Sequence, residues 1–272
     1  MNFKGKVVVV TGASSGIGKQ ACMDFSRRGA NVVLVARTES KIKEIANKIK
    51  EDYRVNTMIA PCDVSKKEQV LSMSKKVLDE FAHVDILVNN AGFAVFSSVR
   101  DATIEELEDQ LATNLLGAIY CTKAFLSSML ERNNGHIVNV ASVAGSIGIP
   151  GFAAYCASKF GMLGFSQSLY HELKGTGVGI TIVSPITVQT NFFNHSSFKK
   201  IKPNYSPIGL SASHVSRAIL RAANSRRLEI IVPFYVRGAV WLSQTLPYLV
   251  NPIIGSVFNN HLRKLDKDDP RV

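Results

Sequence analysis

The stretch Val7-Val8-Val9-Val10-Thr11-Gly12-Ala13-Ser14-Ser15-Gly16-Ile17-Gly18 decides the fold. Consecutive valines predict a strand that is buried on both faces, and the run Lys19–Arg28 predicts a helix directly after the glycines. In such a turn the first glycine allows a sharp bend, the second a close approach to a pyrophosphate, and the third tight packing of helix on strand. Unpaired N–H groups at the start of the helix favour an anion. The stretch therefore predicts a dinucleotide site, with Gly12, Ser14, Ser15, Gly16, Ile17 and Gly18 as candidate contacts.

Short β-branched runs alternate with longer amphipathic segments along the rest of the chain. The runs are Val7–Thr11, Asn31–Ala36, Thr57–Cys62, Asp85–Val88, His136–Ala141, Gly179–Ser184 and Leu228–Val232. This alternation predicts a parallel sheet with helices on both faces. A chain of 272 residues, 46% of them hydrophobic, can bury one such core. We expect an α/β fold, a single-domain Rossmann-like doubly wound parallel sheet over residues 1–232, followed by a hydrophobic C-terminal extension over 233–272.

The end of the second predicted strand indicates which dinucleotide binds. An acid at this position would accept hydrogen bonds from the ribose hydroxyls of NAD, whereas an arginine pairs with the 2′-phosphate of NADP. The strand ends in Ala36 and is followed by Arg37. The sequence therefore favours NADP(H) over NAD(H), with Ser14 as a second candidate phosphate contact.

Tyr155 and Lys159 are candidates for proton transfer. Their i, i+4 spacing in a helical segment places them on one face. A free tyrosine titrates near pH 10, so a nearby cation such as Lys159 or an oxidised nicotinamide would be needed to make it a useful base. A tyrosine and a lysine at this spacing also occur by chance on helix surfaces, so the pair needs support from other motifs.

These motifs together resemble the classical short-chain dehydrogenase/reductase family over roughly residues 1–232. The ordered motifs are Thr11–Gly18, Asp63-Val64, Asn89-Asn90-Ala91-Gly92, Asn114, Ser142 and the pair Tyr155 and Lys159. The resemblance implies that Ser142 binds the substrate oxygen, Tyr155 exchanges its proton and Lys159 holds the nicotinamide ribose. It implies further that Asn114 positions a water in the proton relay. Asp63 and Val64 would flank the adenine, while Asn90, Ala91 and Gly92 would contact the cofactor.

Several of these residues also have structural interpretations. Asn89 and Asn90 can pair backbone groups at a strand end, and Ser142 can cap a helix. Asn114 is polar in the otherwise apolar stretch Leu111–Ala118, which suggests a purpose, because asparagine inside a helix normally costs stability.

The segment after the sixth predicted strand departs from the family pattern. The family usually has Pro-Gly there, whereas this chain has Pro185-Ile186. The missing glycine restricts the backbone just before Val188 and Thr190, which by resemblance would receive the nicotinamide carboxamide. The loop Ile186–Leu210 follows, and its Phe192 and Phe193 either favour an apolar ligand or anchor the loop.

Composition limits the partners of the protein. The chain has 32 Lys and Arg and 21 Asp and Glu residues, a net charge of +11, which favours anionic partners. No nucleic-acid motif accompanies the basic residues, so we expect no nucleic acid partner. Cys22, Cys62, Cys121 and Cys156 form neither a CxxC pair nor a metal-ligand pattern, so no metal site is indicated. Free thiols and an N-terminal apolar run too short for a signal peptide favour a cytoplasmic location.

The C-terminal extension is the least typical part of the sequence. Residues 238–260 contain no Asp, Glu, Lys or Arg and are rich in Trp, Tyr, Leu and Ile. The length could cross a bilayer, but Pro247 and Pro252 interrupt helical hydrogen bonding. Three interpretations remain open, namely interfacial docking on a membrane, packing on a partner subunit or the substrate cleft, and a true span.

The sequence as a whole predicts an oxidoreductase that moves a hydride between NADP(H) and a carbonyl or alcohol. Members of the family that act on lipids or sterols often carry membrane-associating ends, which favours a bulky hydrophobic, lipid- or steroid-like, ketone or alcohol as substrate. A soluble 3-oxoacyl-type ketoreductase and a non-catalytic dinucleotide-binding scaffold protein are the alternatives. The helices around 114–132 and 153–174 resemble the family's dimer-forming pair, so a homodimer or homotetramer is expected.

Overall fold

The computed structural model describes residues 1–190, 192, 196–200, 209–253 and 255–256. A seven-stranded parallel sheet forms its centre, with strand order β3-β2-β1-β4-β5-β6-β9. The strands of this sheet are β1 Val7–Thr11, β2 Asn31–Ala36, β3 Thr57–Pro61, β4 Ile86–Asn89, β5 Gly135–Val140, β6 Val178–Pro185 and β9 Glu229–Val232. A separate parallel pair consists of β7 Val188–Gln189 and β8 Leu210–Ser211.

Helices connect the strands and cover both faces of the sheet. They are α1 Gly16–Ser26, α2 Glu39–Tyr53, α3 Lys67–Phe81, α4 Ile104–Leu111, α5 Gly117–Glu131, α6 Ala153–Glu172, α7 Ala212–Ala222 and α8 Val236–Thr245. A π-helical turn, Ala112–Leu116, joins α4 to α5, and short 3₁₀ turns occupy Val143–Gly145 and Ser196–Lys200.

The core consists of two hydrophobic layers, one on each face of the sheet. Successive side chains of a strand point to opposite faces. Val8 and Val10 therefore belong to the layer shared with α1, α2 and α7, whereas Val7 and Val9 belong to the layer shared with α3, α5 and α6. All four valines are buried. Burial on both faces explains why β1 is a continuous apolar run and not an alternating one.

The structure confirms the predicted fold class. Each predicted strand of the main sheet matches an observed strand to within one residue at either end. The first helix begins earlier than predicted, at Gly16 inside the glycine motif, and ends at Ser26. The short strands β7 and β8, near the two ends of the predicted loop Ile186–Leu210, were not predicted.

The strand order reverses between β1 and β4, which places a crevice at the carboxyl ends of these two strands. β1 pairs with β2 on one side and with β4 on the other. In open parallel sheets, ligands bind at such a switch point. We therefore expect a ligand site at the loops after β1 and β4.

The C-terminal extension leaves the sheet at the end of β9. Val240 and Ser243 of α8 are buried, while Trp241 and Leu242 of the same helix are exposed. Within the residues described here, no helix combines the length and the apolar character that crossing a bilayer requires. The division into a domain over 1–232 and an extension over 233–272 stays a prediction.

Candidate active site

The glycine turn between β1 and α1 has the conformation that its sequence predicts. Gly12 and Gly16 have φ values of +67° and +53°, in the region that favours glycine. A Cβ on Gly18 would lie 2.2 Å from the carbonyl oxygen of Gly12, so only glycine allows this packing. Ser15 caps α1 without a side-chain hydrogen bond. The first turn of α1 thus faces the crevice as a suitable anion site.

The loop after β4 packs directly on this turn. The Thr11 hydroxyl accepts hydrogen bonds from the backbone N–H groups of Asn90 and Ala91, each at 3.0 Å. The Asn90 amide donates to the carbonyl oxygen of Thr11 at 2.9 Å. Asn90 therefore has the structural role that the sequence left open, and the side chain holds the loop Asn90–Gly92 against the glycine turn.

Basic and acidic side chains mark the end of the crevice near β2 and β3. Arg37 is exposed and borders the cavity together with Thr38 and Lys41. Lys41 lies in the first turn of α2, and its place at the cavity was not predicted. Asp63 and Val64 border the cavity after β3. The Asp63 carboxylate accepts hydrogen bonds from the N–H and hydroxyl of Ser65, at 3.0 and 2.8 Å, which fixes the turn there.

Ser142, Tyr155 and Lys159 meet at the other end of the same cavity. Ser142 follows β5, and its hydroxyl accepts the Ala144 N–H at 3.1 Å. This cap of the short 3₁₀ turn is the structural role considered for it from the sequence. Tyr155 and Lys159 both lie on α6, and Lys159 Nζ is 5.8 Å from the centre of the tyrosine ring. The ammonium of Lys159 donates to the carbonyl oxygen of Val140 at 2.9 Å.

Burial controls the ionisation of both groups. Burial raises the pKa of Tyr155 to about 12, although a hydrogen bond with the Ser142 side chain opposes the increase. Burial also lowers the pKa of Lys159 to about 8, because an ammonium loses hydration in the interior. The i, i+4 spacing predicted a more acidic phenol, but desolvation dominates in the folded chain. The phenol therefore keeps its proton at neutral pH.

Asn114 lies in the π-helical turn and is fully buried. Its side chain accepts the N–H of Phe93 and donates to the carbonyl oxygen of Phe93, both at 2.9 Å. The same amide donates to the Ser158 hydroxyl at 3.0 Å. A Cβ on Gly92 would lie 3.0 Å from Asn114 Oδ1 and 3.7 Å from Lys159 Nζ. The Asn114 side chain thus holds the loop after β4 beside Lys159.

The segment after β6 reaches the cavity despite its missing glycine. Ile186 is not among the residues with positive φ, so the backbone there does not need glycine. Its N–H donates to the carbonyl oxygen of Val232 at 3.0 Å. Val188 and Thr190 both border the cavity. A Cβ on Gly16 would lie 3.1 Å from the Thr190 side chain, so Thr190 faces the glycine turn across the crevice.

An aromatic cluster packs against Tyr155. It consists of Phe96, Phe152, Phe192 and Phe198, with Phe96 and Phe198 buried. Ring centres lie 6.2 Å apart for Phe152 and Tyr155 and 5.6 Å apart for Tyr155 and Phe192. Sequence reasoning found only Phe192 of these four. Its neighbour Phe193 lies outside the described residues.

One cavity of about 930 Å³ unites these elements. Most predicted site residues border it, namely Gly12, Ser14, Ser15, Gly16, Ile17, Arg37, Asp63, Val64, Asn90, Ala91, Gly92, Ser142, Tyr155, Lys159, Val188 and Thr190. Gly18 and Asn114 lie behind its wall and shape it from there. A glycine turn, a helix N-terminus and a tyrosine–lysine pair around one cavity define a Rossmann-like oxidoreductase.

Comparison with known proteins agrees with this class. The family model described as short chain dehydrogenase matches residues 6–200. Retinol dehydrogenase 10-B of Danio rerio is 34% identical over 270 residues, which cover 91% of this chain and 80% of the relative. A short-chain dehydrogenase/reductase of Burkholderia phymatum in complex with NAD superposes with a TM-score of 0.81 at 25% identity, covering 92% of this chain and 96% of that one. A short-chain dehydrogenase of Sphingobium yanoikuyae in complex with NADPH gives 0.79 at 28% identity, covering 90% and 95%. The chain belongs to the short-chain dehydrogenase/reductase family of oxidoreductases.

Proposed function

We propose that this protein transfers a hydride between NADP(H) and a bulky hydrophobic ketone or alcohol. The observation that carries the proposal is the meeting of Ser142, Tyr155 and Lys159 at one end of the cavity whose other end is bordered by the glycine turn and Arg37. The glycine turn fits a dinucleotide, because its tight bend at Gly12 and close packing at Gly18 leave Gly16 and Ile17, at the start of α1, bordering the cavity where a pyrophosphate would lie. Gly12, Ser14, Ser15, Gly16 and Ile17 would hold the pyrophosphate, with Asp63, Val64, Asn90, Ala91, Gly92, Val188 and Thr190 along the rest of the cofactor.

The side chains of the chain itself supply the proton chemistry. Tyr155 is protonated at neutral pH and can donate its proton to the oxygen of a carbonyl as that oxygen gains negative charge. The Ser142 hydroxyl, next to the phenol, orients the substrate oxygen by a hydrogen bond. Lys159 holds a positive charge beside the phenol, and Asn114 fixes the loop that Lys159 faces. NADP(H), when bound, supplies or accepts the hydride.

Replacement of Tyr155 tests the chemistry directly. The variant Tyr155→Phe should lose about 100-fold or more in kcat, because a positioned general acid contributes on this scale. Its dissociation constant for NADPH, followed by NADPH fluorescence, should stay close to that of the wild type. Tyr170→Phe on the same helix is the matched control and should keep full turnover. Unchanged turnover in Tyr155→Phe would exclude the assignment, and NADPH binding without turnover of any carbonyl by the wild type would favour the scaffold alternative.

The preference for NADP(H) rests on Arg37. The residue is exposed at the cavity edge, and Lys41 adds a second cation beside it. A guanidinium pairs well with a 2′-phosphate. Arg37→Ala should weaken NADPH binding about 10- to 100-fold, the range expected for a lost charged hydrogen bond, and leave NADH binding unchanged. Lys43→Ala, at an exposed cation of α2 that does not border the cavity, is the control. Equal affinity of the wild type for both cofactors would contradict the preference.

The substrate class follows from the aromatic cluster. Phe96, Phe152 and Phe192 border the cavity near Tyr155, with Phe198 packed against them, and such a lining favours an apolar ligand. The Danio rerio relative is named for retinol, an apolar alcohol. A panel of long-chain, steroid, retinoid, acyl and sugar substrates with NADPH tests the class. Highest kcat/KM for a sugar or a short polar ketone would refute it.

We extend the proposal to assembly and location. Phe160 on α6 and Leu130 on α5 are large apolar side chains with 44% and 40% of their surface exposed, on the helices expected to form a dimer. Burial of such side chains between two copies would stabilise a homodimer or homotetramer. A monomer by sedimentation at micromolar concentration would refute this assembly. We place the protein in the cytoplasm with peripheral membrane contact.

A further inference from the structure

The segment after β9 carries a large exposed apolar surface. We call it the C-terminal apolar surface, and it comprises Phe234, Tyr235, Trp241, Leu242, Leu246, Tyr248, Leu249 and Ile253. The exposed fraction of these side chains ranges from 42% for Leu242 to 92% for Tyr248. Many large apolar side chains exposed within one short segment indicate an interaction site.

The surface is not a displaced part of the core. Val240 and Ser243 are the buried residues of α8, and the Ser243 hydroxyl donates to the carbonyl oxygen of Val240 at 2.7 Å. Val240 and Ser243 lie on one side of the helix, and this side packs against the domain. Trp241 and Leu242 lie on the exposed remainder of the helix surface. The helix is therefore already seated on the protein, and its exposed residues are available for a second contact.

Positive charge is concentrated in the same part of the chain. Between Leu173 and Lys264 the sequence has eleven Lys and Arg residues and only one acid, Glu229. The Glu229 carboxylate accepts a hydrogen bond from the Ser184 hydroxyl at 2.6 Å. The segment from Leu173 to Lys264, a third of the chain, therefore has a net charge of 11 − 1 = +10, nearly all of the net charge of +11 of the whole chain. Arg226 and Arg227 before β9 and Arg237 in α8 are exposed examples.

We propose that the C-terminal apolar surface docks on the headgroup region of an anionic lipid bilayer. Exposed Trp and Tyr side chains suit the membrane interface, where one end of the ring is apolar and the other is wet. The exposed cation Arg237 of α8 adds attraction to anionic headgroups, as does the positive charge of this third of the chain. A second copy of the chain fits this surface poorly, because a symmetric contact would bring like charges together. The surface is thus an interfacial anchor that lies on the membrane.

The position of this anchor relates it to the cavity. Val232, the last residue of β9, pairs with Pro185, and the Ser142 hydroxyl donates to the carbonyl oxygen of Pro185 at 3.4 Å. The anchor therefore begins at the carboxyl edge of the sheet, the edge at which the cavity lies. A docked protein would hold that edge near the lipid, from which an apolar substrate could enter.

Trp241 provides an internal probe, because it is the only tryptophan of the chain and 63% of its surface is exposed. Full-length protein is mixed with vesicles of phosphatidylcholine alone or with phosphatidylglycerol added. We expect a blue shift of Trp241 emission, protection from acrylamide and at least about tenfold stronger cosedimentation with the anionic vesicles. Binding should weaken at high salt. The assay needs neither cofactor nor turnover, so its outcome is separate from that of the proposed activity.

Two matched pairs of variants locate the contact. Trp241→Ser should reduce cosedimentation, whereas Leu71→Ser, an exposed apolar residue on α3, should not. The variant Arg237→Glu, at an exposed cation of α8, should weaken binding about tenfold, whereas Lys75→Glu on α3, which changes the net charge equally, should have a smaller effect. Absence of binding to anionic vesicles would overturn the proposal, as would binding that is reduced neither by Trp241→Ser nor by the charge reversal at the anchor. Shielding of Trp241 that grows with protein concentration in the absence of lipid would instead identify a second copy as the occupant.

Discussion

Replacement of Lys159 by methionine should make the protein more stable at neutral pH while it abolishes activity. Lys159 is 4% exposed, and burial lowers its pKa from 10.5 to about 8. In the unfolded chain this lysine binds a proton more tightly than in the folded chain. Burial of the Lys159 ammonium therefore destabilises the folded chain at every pH below about 8, where the lysine is charged in both the folded and the unfolded chain. This destabilisation shrinks as pH rises toward 10.5.

The size of the cost follows from the shift. A change from 10.5 to about 8 corresponds to about 3 kcal/mol at pH 7. Methionine fills a similar volume and has no charge to desolvate, but it leaves the Val140 carbonyl without the 2.9 Å hydrogen bond, which offsets about 1–2 kcal/mol. The net gain at pH 7 is then about 1–2 kcal/mol. Between pH 7 and pH 10 the difference between variant and wild type should fall by about 2 kcal/mol.

Urea unfolding of both proteins at a series of pH values measures this difference. Surface groups titrate alike in both proteins, and Tyr155, with its pKa raised to about 12, stays protonated over this pH range, so neither contributes to the change in the difference. Lys174→Met, on an exposed lysine, is the control and should show a flat difference across the same range. A Lys159→Met difference that does not change with pH would show that the ammonium is well solvated, and the reasoning from burial would fail.

Two further predictions concern stability. Burial alone would raise the pKa of Asp85, but the Val7 N–H, Lys6 and Arg132 lower this pKa overall. The Asp85 carboxylate therefore stabilises the folded chain above pH 3.8, and this stabilisation is lost as pH falls below that value. Asp85→Asn should cost about 2 kcal/mol at pH 7 and converge with the wild type in acid, and a deficit that is constant with pH would contradict this. Gly18→Ala should cost at least about 2 kcal/mol because its Cβ would meet backbone at 2.2 Å, whereas Gly238→Ala, with no atom within 4 Å, should be neutral or slightly stabilising in thermal unfolding. Equal melting temperatures for these two variants would contradict the packing argument.

The strands of the main sheet could be predicted because burial on both faces leaves a simple signal. Val7–Val10 and Val32–Val35 are continuous apolar runs, and each lies where the sequence placed it. The short strands β7 and β8 have two residues each, too few to show any periodicity. The start of α1 at Gly16 was missed for a related reason, since glycine disfavours a helix interior but is required by the turn.

The candidate site could be predicted where one residue type is the only one that works. Gly12 and Gly18 are such positions, and so is the tyrosine–lysine pair at one helical turn. Phe96, Phe152 and Phe198 could not be found, because they come from separate segments and a lone phenylalanine indicates only burial. Lys41 carried no signal either, since a lysine in a helix is usually a solvated residue. These residues become visible only when the fold brings distant segments together.

The electrostatics of the tyrosine–lysine pair shows what spacing alone cannot provide. Spacing predicted that Lys159 lies near Tyr155, and the 5.8 Å separation between ammonium and ring agrees with it. The direction of the pKa shifts depends on burial, which favours the neutral form of both groups. Burial raises the pKa of Tyr155 to about 12 and lowers that of Lys159 to about 8. A protonated phenol suits donation to a carbonyl oxygen, whereas acceptance of a proton from an alcohol requires further positive charge nearby. The phenol of the folded chain is therefore protonated at neutral pH, and a bound oxidised nicotinamide would add positive charge that favours its deprotonation.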